Sequence, residues 1–388
     1  MEIAKRLKDL KPSQTLQITA KAKQLKKEGK DIINFAAGEP DFDTPQKIKD
    51  AAIKAIQEGF TKYTPESGIP ELRGAISSKF KKDNSLEFTP EQIVVSCGAK
   101  HSIYNSLQAL INPADEVIVI SPYWLSYPHM VRLAGAIPVI LETFAEDGFR
   151  IDFDRLEKII TKKTKLLIIN SPSNPTGCVY SKEELEKIAK IAISKDIWII
   201  SDEIYEKLIY DGNKHISIAS LGNEIYKKTI TVNGVSKTYS MTGWRIGYLG
   251  APLELAKAIS MLQSHSTSHP TSISQKATIA ALNMQDVEIA PFVNEFKMRR
   301  DCLIEKLSQI KQISFFKPKG AFYCFVDISS LKIPPAEFAS RLLEEEFVAV
   351  IPAESFGSDK HIRLSFATSK EDLIKGAERI KNFISKLV

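Results

Sequence analysis

Residues 235–248 read Val-Ser-Lys-Thr-Tyr-Ser-Met-Thr-Gly-Trp-Arg-Ile-Gly-Tyr. Just ahead of them stands Thr229-Ile230-Thr231-Val232, a β-branched run with the character of a buried strand. Lys237 therefore sits at the end of a buried strand, where an ammonium is poorly solvated and loses its proton more readily than at the surface. A neutral lysine amine condenses with an aldehyde to form a Schiff base. Ser236 and Arg245 add a hydroxyl and a planar guanidinium fork, the pieces that hold a phosphate. The ordinary reading is that Lys237 is one of 53 lysines and arginines, most of them solvated. The strand before it and Gly243-Trp244-Arg245-Ile246-Gly247 after it set this lysine apart.

On either side of this stretch, strand-like and helix-like segments alternate. Gln92–Ser96, Glu116–Ile120, Ile137–Leu141, Lys165–Asn170, Ile197–Ser201, Thr229–Asn233 and Tyr248–Gly250 read as short strands. Ala99–Leu110 reads as a helix, and Ser181–Ser194 as another, opened by Ser181 with Glu184 three residues on. Short, nearly all-apolar strands separated by helices predict an α/β fold with a mostly parallel sheet covered on both faces. From about Ala280 to Ile310 the pattern is one long helical stretch crossed by Pro291. Strand-like pieces follow at Ala321–Val326, Val348–Ile351 and Ile362–Phe366, then a last helix from about Ser369 to Leu387. This C-terminal block reads as a smaller α+β domain.

At 388 residues the chain is long enough for two or three domains, and 43% hydrophobic with 26% charged residues is a globular composition. A net charge of +6, with the lysines scattered, gives no footprint for nucleic acid. No apolar run approaches a membrane span, and Met1-Glu2-Ile3-Ala4-Lys5 lacks a signal peptide's apolar core. Cys97, Cys178, Cys302 and Cys324 are far apart, which fits reduced thiols in the cytoplasm. No metal is expected: of the six histidines, His265 and His269 are four apart, but Pro270 and the surrounding Ser and Thr predict a loop or frayed helix end.

Ligands of an open parallel sheet bind outside the carboxyl ends of its strands, so polar residues just after the strands are the candidates. Four such groups occur: Gly98-Ala99-Lys100; Asn170 through Gly177; Asp202-Glu203-Ile204-Tyr205; and Ser236-Lys237. Gly98 and Ala99 open a helix, whose N-terminus favours a phosphate, although a small residue there also serves a plain tight turn. Asp202 closes the apolar run Ile197-Trp198-Ile199-Ile200 and needs a cationic partner if buried; a helix cap is the other reading. An amine poised for an imine, a phosphate anchor and a buried carboxylate together point to pyridoxal 5′-phosphate (PLP), with Asp202 keeping the pyridine nitrogen protonated.

The 235–248 segment resembles the active-site signature of class I aminotransferases, PLP enzymes of fold type I, and the resemblance runs from Pro12 to the last helix. It implies a large PLP-binding domain over 46–285, a small domain over 286–388, and an N-terminal arm over 1–45 that joins the small domain. It further implies that Tyr205 and Asn174 bond the cofactor's phenolic oxygen, that Trp124 stacks on its ring, and that Gly98, Ala99, Lys100, Ser236 and Arg245 line its phosphate end. Arg363, in His-Ile-Arg-Leu-Ser-Phe, resembles the arginine that clamps the substrate's α-carboxylate, with Asn174 and Trp124 alongside it. Gly38, in Ala-Ala-Gly-Glu-Pro-Asp-Phe, resembles a backbone contact to that same carboxylate. Tyr63 resembles the tyrosine that reaches the phosphate of a neighbouring subunit, implying a homodimer with shared active sites.

The segments around Lys100, Ser-Pro-Tyr-Trp-Leu-Ser-Tyr-Pro and Ala-Gly-Glu-Pro-Asp-Phe-Asp-Thr-Pro resemble the bacterial aspartate (aspartate/prephenate) aminotransferase branch, where a lysine meets the substrate's distal carboxylate. The chain departs from that branch at Ser96-Cys97, His101 and Gln14. The resemblance thus implies transfer of the amino group of L-aspartate to 2-oxoglutarate, with Lys237 as imine-forming residue and general base, Asp202 and Tyr205 as its catalytic partners, and prephenate as a further dicarboxylate substrate. Alternatives on the same fold are other amino-donor specificities, a β-lyase, or a cyclopropane-forming synthase. A PLP-binding transcription regulator would need a DNA-binding domain, for which the residues before Pro12 leave no room. A nicotinamide dehydrogenase lacks support, because no Gly-x-Gly-x-x-Gly follows a strand.

Overall fold

Runs of β-branched and aliphatic residues build the centre of the molecule. The computed structural model describes Ala4, Leu7 and residues 14–387. Pro12 and the side chain of Gln14, both named above, lie outside the described residues. The strands, in chain order, are β1 (Ile33–Asn34), β2 (Ile93–Ser96), β3 (Glu116–Ser121), β4 (Ile137–Glu142), β5 (Thr164–Asn170), β6 (Trp198–Asp202) and β7 (Thr229–Gly234). They continue with β8 (Gly247–Gly250), β9 (Ser314–Phe315), β10 (Tyr323–Asp327), β11 (Val348–Ala349), β12 (Ile351–Pro352) and β13 (His361–Ser365).

Seven of them form one sheet in the order β2-β8-β7-β6-β5-β3-β4. Only β8 runs antiparallel to its neighbours. The architecture is the expected α/β one. Alternate side chains of β5 show why both faces must be covered. Leu166 and Ile168 enter a core shared with Ile103, Leu107 and Ile259, whereas Leu167 and Ile169 enter one shared with Leu185 and Ile188. Each such aliphatic side chain contributes about 1.5–3 kcal/mol on burial. The edge strand β4 is the least buried of the seven, with Ile137 exposed.

A four-stranded antiparallel sheet, β12-β13-β10-β9, holds the C-terminal part, and β1 pairs in parallel with β11. The Lys370–Leu387 helix packs so closely on the N-terminal segment that a Cβ at Gly376 would lie 2.3 Å from Phe35 Cζ. Among the described residues no helix is long and apolar enough to cross a membrane.

Two expectations need correction. The single helical stretch over 280–310 is two helices, Ser272–Leu282 and Asp286–Leu307, and Pro291 lies inside the second. The break falls at Asn283-Met284-Gln285, where Gln285 and Glu288 cap reciprocally, a stop signal weaker in sequence than a proline. The strand expected over Val348–Ile351 splits at Val350, because β11 joins β1 while β12 joins β13. A uniformly apolar run carries no mark of a change of partner.

Candidate active site

The ends of β5, β6 and β7 lie side by side, with Asn170 paired to Asp202 and Asp202 to Val232. At these ends opens a cavity of about 480 Å³. Of the residues singled out from sequence, Gly38, Ala99, Lys100, Trp124, Asn174, Asp202, Tyr205, Ser236, Lys237, Arg245 and Arg363 line it. Gly98 stands one residue behind this wall as the N-cap of the Ala99–Leu110 helix. Tyr63 is outside the cavity, 91% exposed, with its ring edge-on to His269.

Lys237 leaves β7 through Val235 and Ser236, and its Nζ donates to the Gly38 carbonyl oxygen at 2.5 Å. The Tyr205 and Phe322 rings lie beneath the amine. Burial pushes its pKa down to about 8; Arg363 and Arg245 push the same way, and Glu39 opposes them. Asp202, at the end of β6, is raised to about 6 by burial, against the pull of its hydrogen bonds. Its Oδ2 accepts from Tyr127 Oη at 2.6 Å and its Oδ1 from the Ile204 N–H at 3.2 Å. No helix follows Asp202, only a turn over 204–207, so the plain reading of a helix cap does not hold. The Ile204 bond closes a local turn, and the carboxylate lines the cavity. Tyr205 and Tyr323 place their hydroxyls 3.0 Å apart.

Close approach explains one of the two glycines flanking Arg245. A Cβ at Gly247 would lie 2.1 Å from Ala99 N, so β8 reaches the helix start only without a side chain there; Gly243 has no such neighbour. A Cβ at Gly98, whose φ is +91°, would meet Arg245 Nη2 at 2.4 Å. Arg245 itself adopts a left-handed φ of 57°, uncommon for a non-glycine residue. Its guanidinium donates to the Thr242 and Cys97 carbonyl oxygens at 2.9 and 3.2 Å. The backbone N–H of Cys97 in turn donates to His101 Nδ1 at 3.3 Å, so two of the departures from the branch pattern build this corner together. Lys100 Nζ stands 4.9 Å over the Trp124 ring, with burial and Arg245 lowering its pKa.

Arg363 rises from β13 and is 2% exposed. Its Nη1 donates to Asn174 Oδ1 and its Nη2 to the Ala36 carbonyl oxygen, both at 3.1 Å; both acceptors are neutral, and its Nε has none. The guanidinium lies 4.3 Å over the Tyr323 ring. Burial lowers its pKa. A buried guanidinium served by neutral acceptors is a strong receptor for a carboxylate.

Among the lining residues not singled out from the sequence, Tyr127 and Tyr323 bear on the site's polar groups. Each packs in an apolar core and reads as a core aromatic, yet their hydroxyls meet Asp202 and Tyr205.

A family model described as aminotransferase class I and II matches residues 30–380. The chain belongs to the class I and II aminotransferases. This aminotransferase is 50% identical over 387 residues to an aspartate aminotransferase from Bacillus sp. (strain YM-2), covering 98% of the chain and 99% of the relative. It is 45% identical to an aspartate/prephenate aminotransferase from Thermus thermophilus, with 99% of each covered. Among solved structures, an aspartate aminotransferase from Rhizobium meliloti superposes with a TM-score of 0.95 at 39% identity, covering 99% of both chains. The Thermus thermophilus aspartate aminotransferase with maleate superposes with a TM-score of 0.94 at 44% identity, covering 99% of this chain and 100% of that one. The chain is therefore a transaminase, of a family and fold that use PLP.

Proposed function

We propose that this transaminase moves the amino group of L-aspartate to 2-oxoglutarate, giving oxaloacetate and L-glutamate, with PLP held in the cavity. The observation that carries the reading is the buried Arg363 guanidinium, bonded to neutral acceptors alone, lining the same cavity as a lysine whose pKa is near 8. The residues present fit PLP: a depressed lysine amine, a buried carboxylate at a strand end, and a corner of Gly98, Ala99, Ser236 and Arg245 that receives a phosphate.

When bound, PLP supplies an aldehyde for the lysine amine and a conjugated ring that draws electrons from the substrate's α-carbon. Lys237 Nζ would be the amine that holds PLP, and with its lowered pKa it could take and return the substrate's α-proton as general base and acid. Asp202, bonded to Tyr127, would keep a proton on the ring nitrogen. Tyr205 and Asn174 would donate to the phenolic oxygen, and Trp124 would cover the ring. The Ala99 backbone N–H, Lys100, Ser236 and Arg245 would hold the phosphate. Arg363 takes the substrate's α-carboxylate in a bidentate pair, joined by Asn174, Trp124 and Gly38.

Lys100, standing over Trp124, meets the distal carboxylate, which selects a dicarboxylic donor. The names of the relatives, aspartate and aspartate/prephenate aminotransferase, and the dicarboxylate maleate on a solved neighbour support that choice and admit prephenate's amino-acceptor chemistry as well. Tyr63, exposed and outside its own cavity, fits a role at the phosphate of a second copy, hence a homodimer with shared sites. Within this reading residues 1–45 form the arm and part of the small domain, 46–285 the large domain and 286–388 the small domain. The β1–β11 pair and the helix break at 283–285 support that division. Cytoplasmic location belongs to the same proposal.

The test is product analysis of PLP-loaded protein on a panel of amino donors with 2-oxoglutarate. Equal amounts of oxaloacetate and glutamate from aspartate, well above turnover of alanine or phenylalanine, are expected. Pyruvate, ammonia and sulfide from cysteine in the same panel, with no oxaloacetate and glutamate from aspartate, would indicate a β-lyase and overturn the assignment.

A further inference from the structure

Behind the cavity wall lies a buried ion network. The turn after β6 carries Asp202, Ile204 and Tyr205 on its cavity side and Glu203 and Glu206 on the other. Glu203 Oε1 accepts from the hydroxyls of Ser201 and Ser217, each at 2.8 Å. Its Oε2 accepts from Asn84 Nδ2 at 3.1 Å and lies 2.8 Å from His215 Nε2. Asn84 Nδ2 also donates to Glu206 Oε2 at 2.7 Å. Lys79 Nζ pairs with Glu206 Oε1 and donates to Asn84 Oδ1 at 2.6 Å. Lys79, Asn84, Glu203 and Glu206 are all buried.

Glu203, Glu206 and His215 have the spacing of a metal-ligand set, with ligand atoms within 4.8 Å of one another. Lys79 already supplies the cation there, so a metal is not what the cluster holds. The remaining charges facing it are Asp83, 3.9 Å from Lys79, and Lys207, 3.1 Å from Asp83. Burial alone would lower the His215 pKa, but the Glu203 carboxylate outweighs it and holds the imidazole above its ordinary value. Lys79 and this imidazole then face the two carboxylates of Glu203 and Glu206.

His215 Nδ1 is buried without a partner, while both carboxylates, Asn84 and Lys79 are paired within the network. A buried network so connected is costly to break at one member. The peptide it grips is five residues long and carries two of the cavity's polar side chains. Asp202 and Tyr205 each precede by one residue a glutamate that the network holds. We propose that Lys79, Asn84, Glu203, Glu206 and His215 act as positioning residues, clamping the 202–206 turn from behind so that Asp202 and Tyr205 keep their place toward the cofactor. The inference rests on the PLP reading for its functional half and on the geometry alone for its structural half.

Lys79→Met leaves Glu206 buried without its cation, and Lys79→Met/Glu206→Gln removes the imbalance. His215→Gln keeps a donor toward Glu203 and serves as a variant that folds even if Lys79→Met does not. Hydrogen exchange of residues 203–208 is read on the cofactor-free protein, where the Glu203, Glu206 and Leu208 amides are hydrogen-bonded. On loaded protein, PLP affinity, the pH midpoint of the bound cofactor's visible absorbance, and kcat against KM are read. Lys79→Met should speed exchange in that peptide, weaken PLP binding and lower kcat by about ten- to a hundredfold with KM little changed, and move the absorbance midpoint. The double variant should recover most of each effect, and His215→Gln should fall between it and the wild type. If variants with lowered Tm keep wild-type exchange at 203–208, PLP affinity and absorbance midpoint, the network only stabilises the fold and the proposal is overturned. Wild-type protein that takes up no PLP would instead refute the cofactor reading, leaving the exchange result to decide whether the network clamps the turn.

Discussion

Tyr127 Oη donates to Asp202 Oδ2 at 2.6 Å, and both side chains are buried. A donor aimed at a carboxylate favours its charged form, and this one opposes the burial that lifts Asp202 to about 6. Tyr127→Phe removes the donor without changing the packing volume much. The Asp202 pKa should rise further, and the carboxylate should hold the ring nitrogen's proton less firmly. We expect kcat to fall about tenfold, the scale of one lost charge-assisted bond, with KM for aspartate nearly unchanged. Steady-state kinetics of the purified variant check this. Wild-type kcat would remove Tyr127 from the account.

Lys237 opposes stability in the cofactor-free protein. Its folded pKa, about 8, lies below the 10.5 of an unfolded lysine. Between those values the unfolded chain binds the extra proton, so stability rises with pH through that window; below pH 8 the full penalty is present. Lys237→Met should therefore be inactive yet more stable than the cofactor-free wild type, by about 1–3 kcal/mol at pH 7. The gap should shrink as pH climbs from 8 toward 10.5. Urea denaturation at several pH values measures it, and a variant less stable at every pH would contradict the burial argument.

Arg363→Lys keeps the charge and loses the fork. A lysine in that buried place cannot bond Asn174, Ala36 and a substrate carboxylate together. A drop in kcat/KM for aspartate of about a hundred- to a thousandfold is expected, with PLP binding preserved. Kinetics alongside the bound cofactor's absorbance separate the two effects.

Lys100→Gln addresses selectivity. The variant should lose most activity on aspartate while alanine or phenylalanine turnover changes by less than about threefold, so the preference for a dicarboxylate narrows. An equal loss on all donors would place Lys100 at the phosphate end alone.

Gly247→Ala inserts a methyl 2.1 Å from Ala99 N, against backbone that cannot swing away. We expect destabilisation of about 3 kcal/mol or more and weakened PLP uptake, because the helix start at Ala99 is displaced. Gly243→Ala, with open space around it, should be close to neutral in thermal melts.

The placement of Lys237 and Asp202 was legible because each is a charged residue at or just past the end of an apolar, β-branched run, and the strand-end rule gathers such residues in one crevice. Asn174 and Arg245 were legible through their local motifs, and Arg363 only through family likeness, since a strand arginine reads as a surface group. Tyr127 and Tyr323 were hidden because an aromatic in an apolar context looks like core whichever way its hydroxyl points. Lys79 and His215 were hidden for another reason: their partners Glu206 and Glu203 are reached only through tertiary packing, and charged residues at these positions read as solvated. The split at Val350 left no mark, because both halves of the run are equally apolar.

The most direct check is reduction of the PLP-loaded protein with borohydride, followed by peptide mapping. The account predicts one labelled site, on the peptide carrying Lys237. A label on any other lysine, or no label at all, would contradict it.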